Sequence, residues 1–489
     1  MINIENIPIL LVILPLMTAF IIPPIGLLKK RYIYHITLIS TFALFIMSIL
    51  LLNQILVNGE IHYYLGNWEP PFGIEYVIDN LSVILITLIT FVGFVIVIYS
   101  KQSIEKELCK NTVLFYTLFM LLITSLLGMV VTGDLFNFYV FLEISSLTAY
   151  TLIAIGPDRE ALMGSFNYLI MGTIAACSIL IGIGFLYALT GSLNMADVSL
   201  IIKKSYDSKV IHAAAILFAI GFSIKIALFP LHIWLPDAYT HAPSTVSALI
   251  ASLMSKVGAY AMIRIFFGVF TIDFFTYKTP MAEIISWIAA IAIIAGSINA
   301  IAQKDIKRML AYSSVSQIGY IVLGIGLSNQ LGITGSLLHI LNHAFMKGCL
   351  FLAVGAIIYK TGMRNIYQFT GMGKRMPYTM LAFSIAALSM VGVPPFGAFF
   401  SKWFLALGAI ESGKWIFAII ILLSSLLNAA YFFAILERAY FGKFFATEKE
   451  EAPLSMVVST LILATGCIFF GIFIFLFEPF LQSTAVSLV

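Results

Sequence analysis

Charged residues are scarce in this chain: Asp, Glu, Lys and Arg make up 10% of its 489 residues, while 61% are hydrophobic. Soluble domains usually carry about 25% charged residues, so a water-soluble globular protein is excluded. Apolar stretches of about 20 residues follow one another along the whole sequence, and this is the length that crosses a bilayer as a helix. The alternating pattern of barrel strands is lacking. The sequence therefore predicts an all-α integral membrane protein.

Cysteine is also scarce, with four residues scattered through the chain. They form no CxxC pair and no cluster with histidine, which argues against iron–sulfur, zinc and disulfide frameworks. No GxGxxG turn opens a helix, so a nucleotide site is not expected either. We therefore predict no metal, no cofactor and no redox centre in this chain, and any enzyme activity would belong to a larger oxidoreductase of which it is a subunit.

The apolar stretches number about fourteen. They lie near residues 6–27, 32–56, 79–99, 111–131, 134–155, 163–189, 210–229, 244–270, 283–302, 309–327, 332–359, 378–410, 415–440 and 455–482. The first stretch has no basic region before it and is interrupted by prolines. We therefore expect it to be a retained helix rather than a cleaved signal peptide.

Basic residues are distributed unevenly between the loops. With fourteen helices and the N-terminus outside, 17 of the 27 Lys and Arg residues fall in inside loops, 5 in outside loops and 5 within helices. Cytoplasmic loops are rich in Lys and Arg, so both termini are predicted to face outward from a cell (inner) membrane. The outside segment 57–78 contains Trp68 and several tyrosines, which favours an ordered hairpin at the membrane interface.

Two of the predicted helices contain closely spaced prolines. The seventh includes Pro230 within IKIALFPLHIWLPDAYTHAPS, and the twelfth includes Pro394 and Pro395 within SMVGVPPFGAFFSKW. Proline removes a backbone donor and clashes with the preceding turn, so both helices should be broken, with a simple kink as the alternative. Broken helices in corresponding halves are typical of inverted repeats around an ion site. The predicted parts are three N-terminal helices, two five-helix repeats and a last helix, at residues 1–110, 111–270, 271–441 and 442–489.

Ionisable residues inside the apolar stretches are the strongest functional indication. A charge at the bilayer centre costs about 2.5–3.5 kcal/mol even on lenient scales, so such residues rarely lack a role. Burial favours the neutral amine of lysine, which lets it release and rebind a proton near neutral pH. The candidate proton-relay residues are Glu143, Lys225, Lys256, His343 and Lys402, with His339, Lys347, His241 and Asp237 as further candidates. His339, His343 and Lys347 share one helix face because they are spaced four residues apart.

Several of these residues also have a structural interpretation. Lys347 and Arg264 could extend to the membrane surface, and we favour this for Arg264, which lies near its helix end. His339 could equally make a single interhelical hydrogen bond. Asp237 and His241 follow the Pro230 break, where they could take up protons or merely cap a helix.

Four long motifs resemble those of antiporter-like, proton-translocating subunits. This family includes the subunit 2, 4 and 5 types of complex I, the D-type subunit of Mrp antiporters, and membrane subunits of energy-converting hydrogenases. The motifs are IKIALFPLHIWLPDAYTHAPSTVSALIASLMSKVGAYAMIR, AQKDIKRMLAYSSVSQIGY, HILNHAFMKGCLFL and GVPPFGAFFSKW, in this order. The resemblance covers most of the chain between residues 80 and 440.

The resemblance implies fourteen helices, two inverted five-helix repeats, and broken seventh and twelfth helices. It also implies that Glu143 and Lys225 form a Glu–Lys pair, that Lys256 is a bridging lysine, and that His343 is a central relay residue. Lys402 corresponds to the terminal lysine of the second half-channel, where subunit 4 types usually have glutamate. The sequence ends soon after the last predicted helix, so the long C-terminal lateral helix of complex I subunit 5 is not expected.

The chain is thus predicted to move protons as a membrane subunit of a complex-I-related assembly. An energy-converting hydrogenase and an Mrp-type Na⁺/H⁺ antiporter are both left open as the parent. The expected partners are other antiporter-like membrane subunits and, in an energy-converting hydrogenase, iron–sulfur or hydrogenase subunits. Nucleic acid is not an expected partner. One alternative is a stand-alone secondary cation transporter, which would more often have carboxylates at its site. A structural membrane anchor is the other, and it would need no buried lysines.

Overall fold

The computed structural model describes residues 6–156, 158–442 and 449–489, and most of these residues are helical. Lys443, one of the basic loop residues counted above, lies outside these ranges. The described helices α1 to α20 are Ile7–Leu28, Arg31–Asn58, Asn80–Glu107, Thr112–Val131, Leu135–Ala154, Arg159–Thr190, Met195–Ile202, Lys209–Lys225, Trp234–His241, Ser244–Leu249, Ser255–Ile263, Met281–Ile301, Ile306–Leu327, Gln330–Thr361, Met372–Arg375, Pro377–Val391, Gly397–Glu411, Trp415–Phe441, Leu454–Ile472 and Ile474–Leu488. Within these ranges, 12 helical spans are long and apolar enough to cross a membrane. The all-α membrane fold is confirmed, whereas the exact count of fourteen membrane helices is not.

The seventh and twelfth predicted helices are each divided in two. α8 ends before Pro230 and α9 begins after it, while Pro394 and Pro395 lie in the non-helical residues between α16 and α17. These short pieces fall below the length of a full membrane span, which is why the number of long spans is smaller than predicted.

The last predicted helix, near 455–482, is also divided, and the sequence does not predict this. α19 ends at Ile472, and α20 begins two residues later. Gly471 packs directly on the break between α16 and α17: a Cβ at this position would lie 1.8 Å from the carbonyl oxygen of Pro395. The end of α19 therefore packs closely on Pro395. Contacts of this kind between distant residues cannot be read from hydropathy.

α14 is the central helix of the bundle. All of its residues from Gly332 to Ile357 are buried, and it packs against α3, α10, α13, α16, α17, α19 and α20. By contrast, α2, α6 and α18 expose long apolar faces, as expected of helices that face lipid or neighbouring membrane helices. The ionisable residues of α14 consequently lie in the most enclosed part of the protein.

Two parts of the chain repeat the same order of elements 171 residues apart. α6 and α14 each have 32 residues, begin at 159 and 330, and are each followed by a left-handed glycine. An isolated antiparallel bridge joins Asp134 to Asn194, and another joins Asp305 to Asn365. Both aspartates also cap the helix that follows by accepting a hydrogen bond from a backbone N–H.

The segment 57–78 contains a β-hairpin, as its composition predicts. β1 (Ile61–Tyr64) pairs antiparallel with β2 (Glu75–Ile78). The Glu75 carboxylate hydrogen-bonds to Nδ1 of His62 at 2.6 Å and accepts from the Asn194 amide at 2.9 Å. These contacts join the hairpin to the residues that begin α7.

The contact between His62 and Glu75 makes the hairpin sensitive to pH. Burial lowers the pKa of His62, but its hydrogen bonds to Glu75 and Glu60 raise it more, so that this pKa lies above its ordinary value of 6.5. The contact therefore stabilises the hairpin fully below pH 6.5, and this contribution is lost as the pH rises through the higher folded-state pKa. We expect proteolysis at the hairpin to accelerate over that range, and His62→Gln to abolish the change.

Cleavage rates of the native chain divided by those of His62→Gln at each pH cancel the protease's own pH profile. The ratio should rise with pH. A ratio that stays constant would contradict a role for this contact.

Candidate proton-relay site

Lys225 is the last residue of α8, where the seventh helix is broken. Its Nζ lies 3.9 Å from Oε1 of Glu143 on α5, and it donates a hydrogen bond to Ser146 on the same helix at 2.5 Å. The Lys225 side chain is 5% exposed, but that of Glu143 is 29% exposed. Glu143 is therefore only partly buried, because this residue shares a helix face with the exposed Val140 and Leu147. Its carboxylate reaches from the surface of the chain towards a buried ammonium group.

The break itself is held by contacts across it. Ala227 adopts a left-handed conformation with φ of +57°, which costs a non-glycine residue about 1 kcal/mol or more. Trp234, the first residue of α9, donates through Nε1 to the carbonyl of Ile224 at 2.9 Å. Its indole also stacks on Tyr168, with 3.8 Å between ring centroids. The unwound segment is thus fixed at both of its ends.

Lys256 lies in α11, directly after a loosened helical segment. Residues Ile250–Met254 are π-helical, a geometry that is frequent at functional sites. The Lys256 side chain is fully buried, and its Nζ donates to the carbonyl of Ala251 in that segment. Gly258 packs on Ile226 of the first break, where a Cβ would lie 2.8 Å from the isoleucine. The helix of Lys256 therefore rests directly on the break.

His339, His343 and Lys347 lie on one face of α14, and all three are fully buried. The two histidine rings stack with 6.0 Å between their centroids. His339 hydrogen-bonds to Oγ of Ser401 at 2.8 Å and to the side-chain oxygen of Gln317 at 3.1 Å. Neither ring nitrogen of His343 has a hydrogen-bond partner among the described residues. Buried polar groups of this kind usually bind ordered water.

Lys347 points across to α13 and not to the membrane surface. Its Nζ donates to the carbonyl of Leu310 at 2.7 Å and to Oγ of Ser313 at 2.5 Å. The alternative in which Lys347 extends to the surface is therefore wrong. Lys256, which follows the π-helical segment packed against α14, is also fully buried, so this part of the interior contains two lysines.

Arg264 also differs from the favoured expectation of a surface-seeking side chain. Its guanidinium forms two parallel hydrogen bonds to the Asp79 carboxylate, at 2.7 and 2.8 Å. It donates further to Ser82 at 3.0 Å and to Tyr260 at 3.2 Å. Only 17% of the arginine side chain is exposed, so this ion pair joins the start of α3 to the end of the Lys256 helix from within.

Lys402 lies on α17 and caps the first half of the broken twelfth helix. Its Nζ donates to the carbonyls of Met390 and Val391 at 2.9 and 3.0 Å, and it lies 5.0 Å from the ring centre of Tyr320. A helix C-terminus favours a cation because its last carbonyls have no partner within the helix. Gly392 has φ of +91°, and a Cβ here would lie 3.3 Å from the Lys402 Nζ, so glycine leaves room for the lysine.

Asp237 and His241 lie on α9, outside this buried row. Asp237 accepts a hydrogen bond from Arg308 at 2.9 Å, and about a third of each side chain is exposed. His241 is partly buried. Asp237 thus belongs to a surface ion pair, and the structure brings neither residue into contact with Lys225.

Lys307 is a buried lysine that sequence reasoning missed, because it was counted with the inside loops. α13 begins at Ile306, three residues earlier than predicted, and this carries Lys307 into the bundle. Its side chain is 4% exposed, and its Nζ donates to the carbonyl of Ala242 at 2.6 Å. The only available indication was its position in the AQKDIKRMLAYSSVSQIGY motif.

The assembled groups are suited to proton transfer. Within the residues that the structure describes, no three His, Cys, Asp or Glu side chains are grouped so as to hold a metal ion. Lysine and histidine each take up and release a proton. A row of such groups along the bundle can therefore pass protons between positions that are close enough for a hydrogen bond or a bridging water.

Comparison with known proteins identifies the family. The family model described as NADH:quinone oxidoreductase/Mrp antiporter, TM, matches residues 132–428, and the model described as NADH-ubiquinone oxidoreductase (complex I), chain 5 N-terminus, matches residues 66–107. The chain belongs to the antiporter-like subunit family. All of the candidate relay residues, from Glu143 to Lys402, lie within the first matched range.

Two curated relatives of this antiporter-like subunit are similar over almost its whole length. The chain is 44% identical over 483 residues to the N subunit of the NADH-quinone oxidoreductase of Desulforudis audaxviator, covering 96% of each protein. It is 34% identical over 444 residues to the D subunit of the Na⁺/H⁺ antiporter of Alkalihalophilus pseudofirmus, covering 90% of this chain and 89% of the relative.

Solved structures with the same fold come from multisubunit membrane complexes. A chain of an archaeal membrane-bound sulfane sulfur reductase superposes with a TM-score of 0.92 at 30% identity, covering 99% of this chain and 98% of that chain. A chain of the Mrp complex of a Dietzia species has a TM-score of 0.92 at 23% identity, covering 100% and 98%. A chain of respiratory complex I from Thermus thermophilus has a TM-score of 0.76 at 21% identity, covering 96% and 98%. The antiporter-like subunit thus shares its fold with single chains from three kinds of complex.

Proposed function

We propose that this antiporter-like subunit conducts protons through the middle of the bundle, along a row that runs from Lys225 through Lys256 and His343 to Lys402. The observation that carries the proposal is the environment of the buried lysines. Among the residues that the structure describes, Lys256, Lys347 and Lys402 bind carbonyl and hydroxyl oxygens and no carboxylate. Each can therefore lose its proton without leaving an unpaired buried carboxylate, which is the costly result of breaking a buried ion pair.

The pair formed by Glu143 and Lys225 controls the first half of this route. At 3.9 Å the two charges do not share a hydrogen bond, but they attract each other strongly in an interior of low dielectric constant. Movement of the carboxylate away from Lys225 would favour release of the lysine proton. The partly exposed Glu143 is accessible to a neighbouring membrane subunit, which can drive this movement. Protons reach Lys225 from the cytoplasmic side, near the Pro230 break.

The second half of the route follows α14. A water bound to His343 carries the proton from Lys256 to the histidine, whose ring stacks on that of His339. His339 hydrogen-bonds to Ser401, the residue before Lys402, and Tyr320 lies between the histidine and the lysine. These contacts bring the proton to the second break, where Lys402 releases it. His339 and Lys347 are thus members of the relay, whereas Asp237 and His241 serve its uptake side.

The 171-residue recurrence of helices and capping aspartates supports two inverted five-helix repeats at 111–270 and 271–441. Residues 1–110 and 442–489 flank them. The distribution of basic residues supports an arrangement in which both termini face outward from the cell membrane. A tag at either terminus should then be accessible to protease in intact cells and protected in inside-out vesicles.

For the parent assembly, we propose a redox-driven complex related to complex I. The relative from NADH-quinone oxidoreductase shares 44% identity with this chain, against 34% for the relative from the Na⁺/H⁺ antiporter. In such a complex the redox chemistry belongs to partner subunits. The chain contributes the proton route.

Purification of the tagged chain from its native membrane in mild detergent, followed by mass spectrometry, tests the assignment. We expect iron–sulfur or other redox subunits together with further antiporter-like subunits. Recovery of only small hydrophobic Mrp-type subunits would make this a Na⁺/H⁺ antiporter component instead. A solitary protein that transports cations in vesicles would contradict the subunit proposal.

A further inference from the structure

The turn between α9 and α10 is held by two charged residues from other helices. Lys307 of α13 donates to the carbonyl of Ala242 at 2.6 Å. Glu107, the last residue of α3, accepts a hydrogen bond from the backbone N–H of Ser244 at 2.9 Å. This turn joins the segment after the first helix break to the helix that carries Lys256. A buried lysine and a carboxylate therefore bind the same turn at one end of the bundle, apart from the pair formed by Glu143 and Lys225.

Along the chain, Lys307 lies between an exposed residue and a residue that binds a member of the relay. Lys304, one turn earlier in the sequence, is exposed, so water reaches this end of α13. In the other direction, the carbonyl of Leu310 is one helical turn away, about 4.5 Å along the axis. That carbonyl accepts a hydrogen bond from the ammonium of Lys347. Lys307 is thus one turn of helix from the group to which Lys347 is bound.

Neighbouring contacts indicate that Lys307 does more than hold the turn between α9 and α10 in place. Where this end of the bundle contains ion pairs, it uses arginine: Arg308 pairs with Asp237, and Arg364 pairs with Asp305. Arginine does not lose its proton in proteins, whereas lysine does so readily when buried. Lys307 has three N–H donors and uses one of them, on a carbonyl, among the described residues. Two donors are left for water.

We propose that Lys307 is a further proton carrier, which takes up protons at the turn between α9 and α10 and passes them to Lys347. This inference rests on the proposed function, because Lys347 is useful as an acceptor only if α14 conducts protons. In the transfer an N–H bond of the Lys307 ammonium breaks, and a chain of ordered waters takes up this proton and delivers one to the neutral amine of Lys347. One positive charge moves and no electrons do. Lys307 is then recharged from the aqueous side, and Glu107 stabilises its charged form.

The second repeat would consequently have an uptake residue of its own in addition to Lys225, and pumping would require both. The charged groups around Lys307 are Glu107, Arg364, Asp305 and Asp158. Of these, Glu107 is the carboxylate whose other contacts are hydrogen bonds to uncharged groups, Ser103 and Ser244. It is therefore available to attract the proton that arrives at Lys307.

Lys307→Arg in the intact complex tests the proposal. Arginine keeps the positive charge and can still donate to the Ala242 carbonyl, but it cannot release a proton. We expect normal assembly, measured as the yield of purified complex, with proton pumping in inside-out vesicles reduced at least about tenfold. Lys304→Arg makes the same change at an exposed residue one turn away and should pump normally. Pumping by Lys307→Arg at the native rate would overturn the proposal and indicate that Lys307 only holds the turn in place.

If Lys307→Arg does not assemble, Lys307→His provides the decision. Histidine titrates near pH 6.5, about four units below lysine, so a proton carrier should shift the pH optimum of pumping to lower pH. An unchanged pH profile would overturn the proposal. Failure of the proposed function is recognised separately, because Lys225→Ala and Lys402→Ala would then also pump normally. Loss of pumping in those two variants with native pumping in Lys307→Arg would refute this inference alone.

Discussion

Lys225→Ala is expected to reduce proton pumping by at least about tenfold while the complex assembles with normal yield. The lysine amine is a buried proton-carrying group at the first break, and positioned proton donors commonly contribute about 10²–10⁴-fold to a rate. Assembly should persist because the ammonium makes one hydrogen bond among the described residues, to Ser146, and its removal leaves Glu143 with access to the surface. The measurement is the initial rate of acidification of inside-out vesicles by the energised complex.

Two companion variants make this result specific. Lys209→Ala removes an exposed lysine at the other end of α8 and should leave the rate unchanged. Glu143→Gln keeps the shape of the side chain but removes the charge that attracts the Lys225 proton, so it should also slow pumping. Loss of the assembled complex in Lys225→Ala would indicate a structural role for the lysine, and normal pumping would exclude it from the proton route.

Much of the fold follows from local sequence properties. Apolar stretches predict the helices, and closely spaced prolines predict two of the three divided ones. Residues that terminate helices for tertiary reasons are not predictable in this way. The division of the last helix depends on the packing of Gly471 against Pro395, which are far apart in the sequence. Hydropathy alone does not distinguish that glycine from others in apolar helices.

The candidate site was predictable where its residues are isolated charges in apolar helices, as for Lys225, Lys256 and Lys402. It was not predictable where position along a helix decides burial. Lys307 is charged, follows a polar segment and resembles a loop lysine, yet an earlier helix start buries it. Exposure of Glu143 likewise depends on how α5 is rotated in the bundle. Which residues pair with these charges depends on contacts between distant helices.

The ion pair between Arg264 and Asp79 illustrates such a contact, and it should be the most important single pair for stability. Its partners are 185 residues apart in the sequence. Asp79→Asn is expected to lower the free energy of unfolding by about 3 kcal/mol or more, because it leaves a largely buried guanidinium without a counter-charge. Asparagine can still cap α3 through the N–H of Ser82, so loss of the cap does not explain the effect. Reversible denaturation in mixed micelles measures the change.

A further test compares the stability lost on removing either partner of this pair. Arg264→Met should destabilise the protein less than Asp79→Asn does, because a carboxylate left alone can take up a proton, whereas a guanidinium cannot lose one. The double variant should lose less free energy of unfolding than the two single variants lose together. A double-mutant cycle measures this difference. Asp237→Asn supplies the comparison: its partner Arg308 is about one third exposed, and such surface pairs contribute about 0–1 kcal/mol. Equal losses for Asp79→Asn and Asp237→Asn would mean that water screens Arg264 as well, and that its pair does not hold α3 to the Lys256 helix.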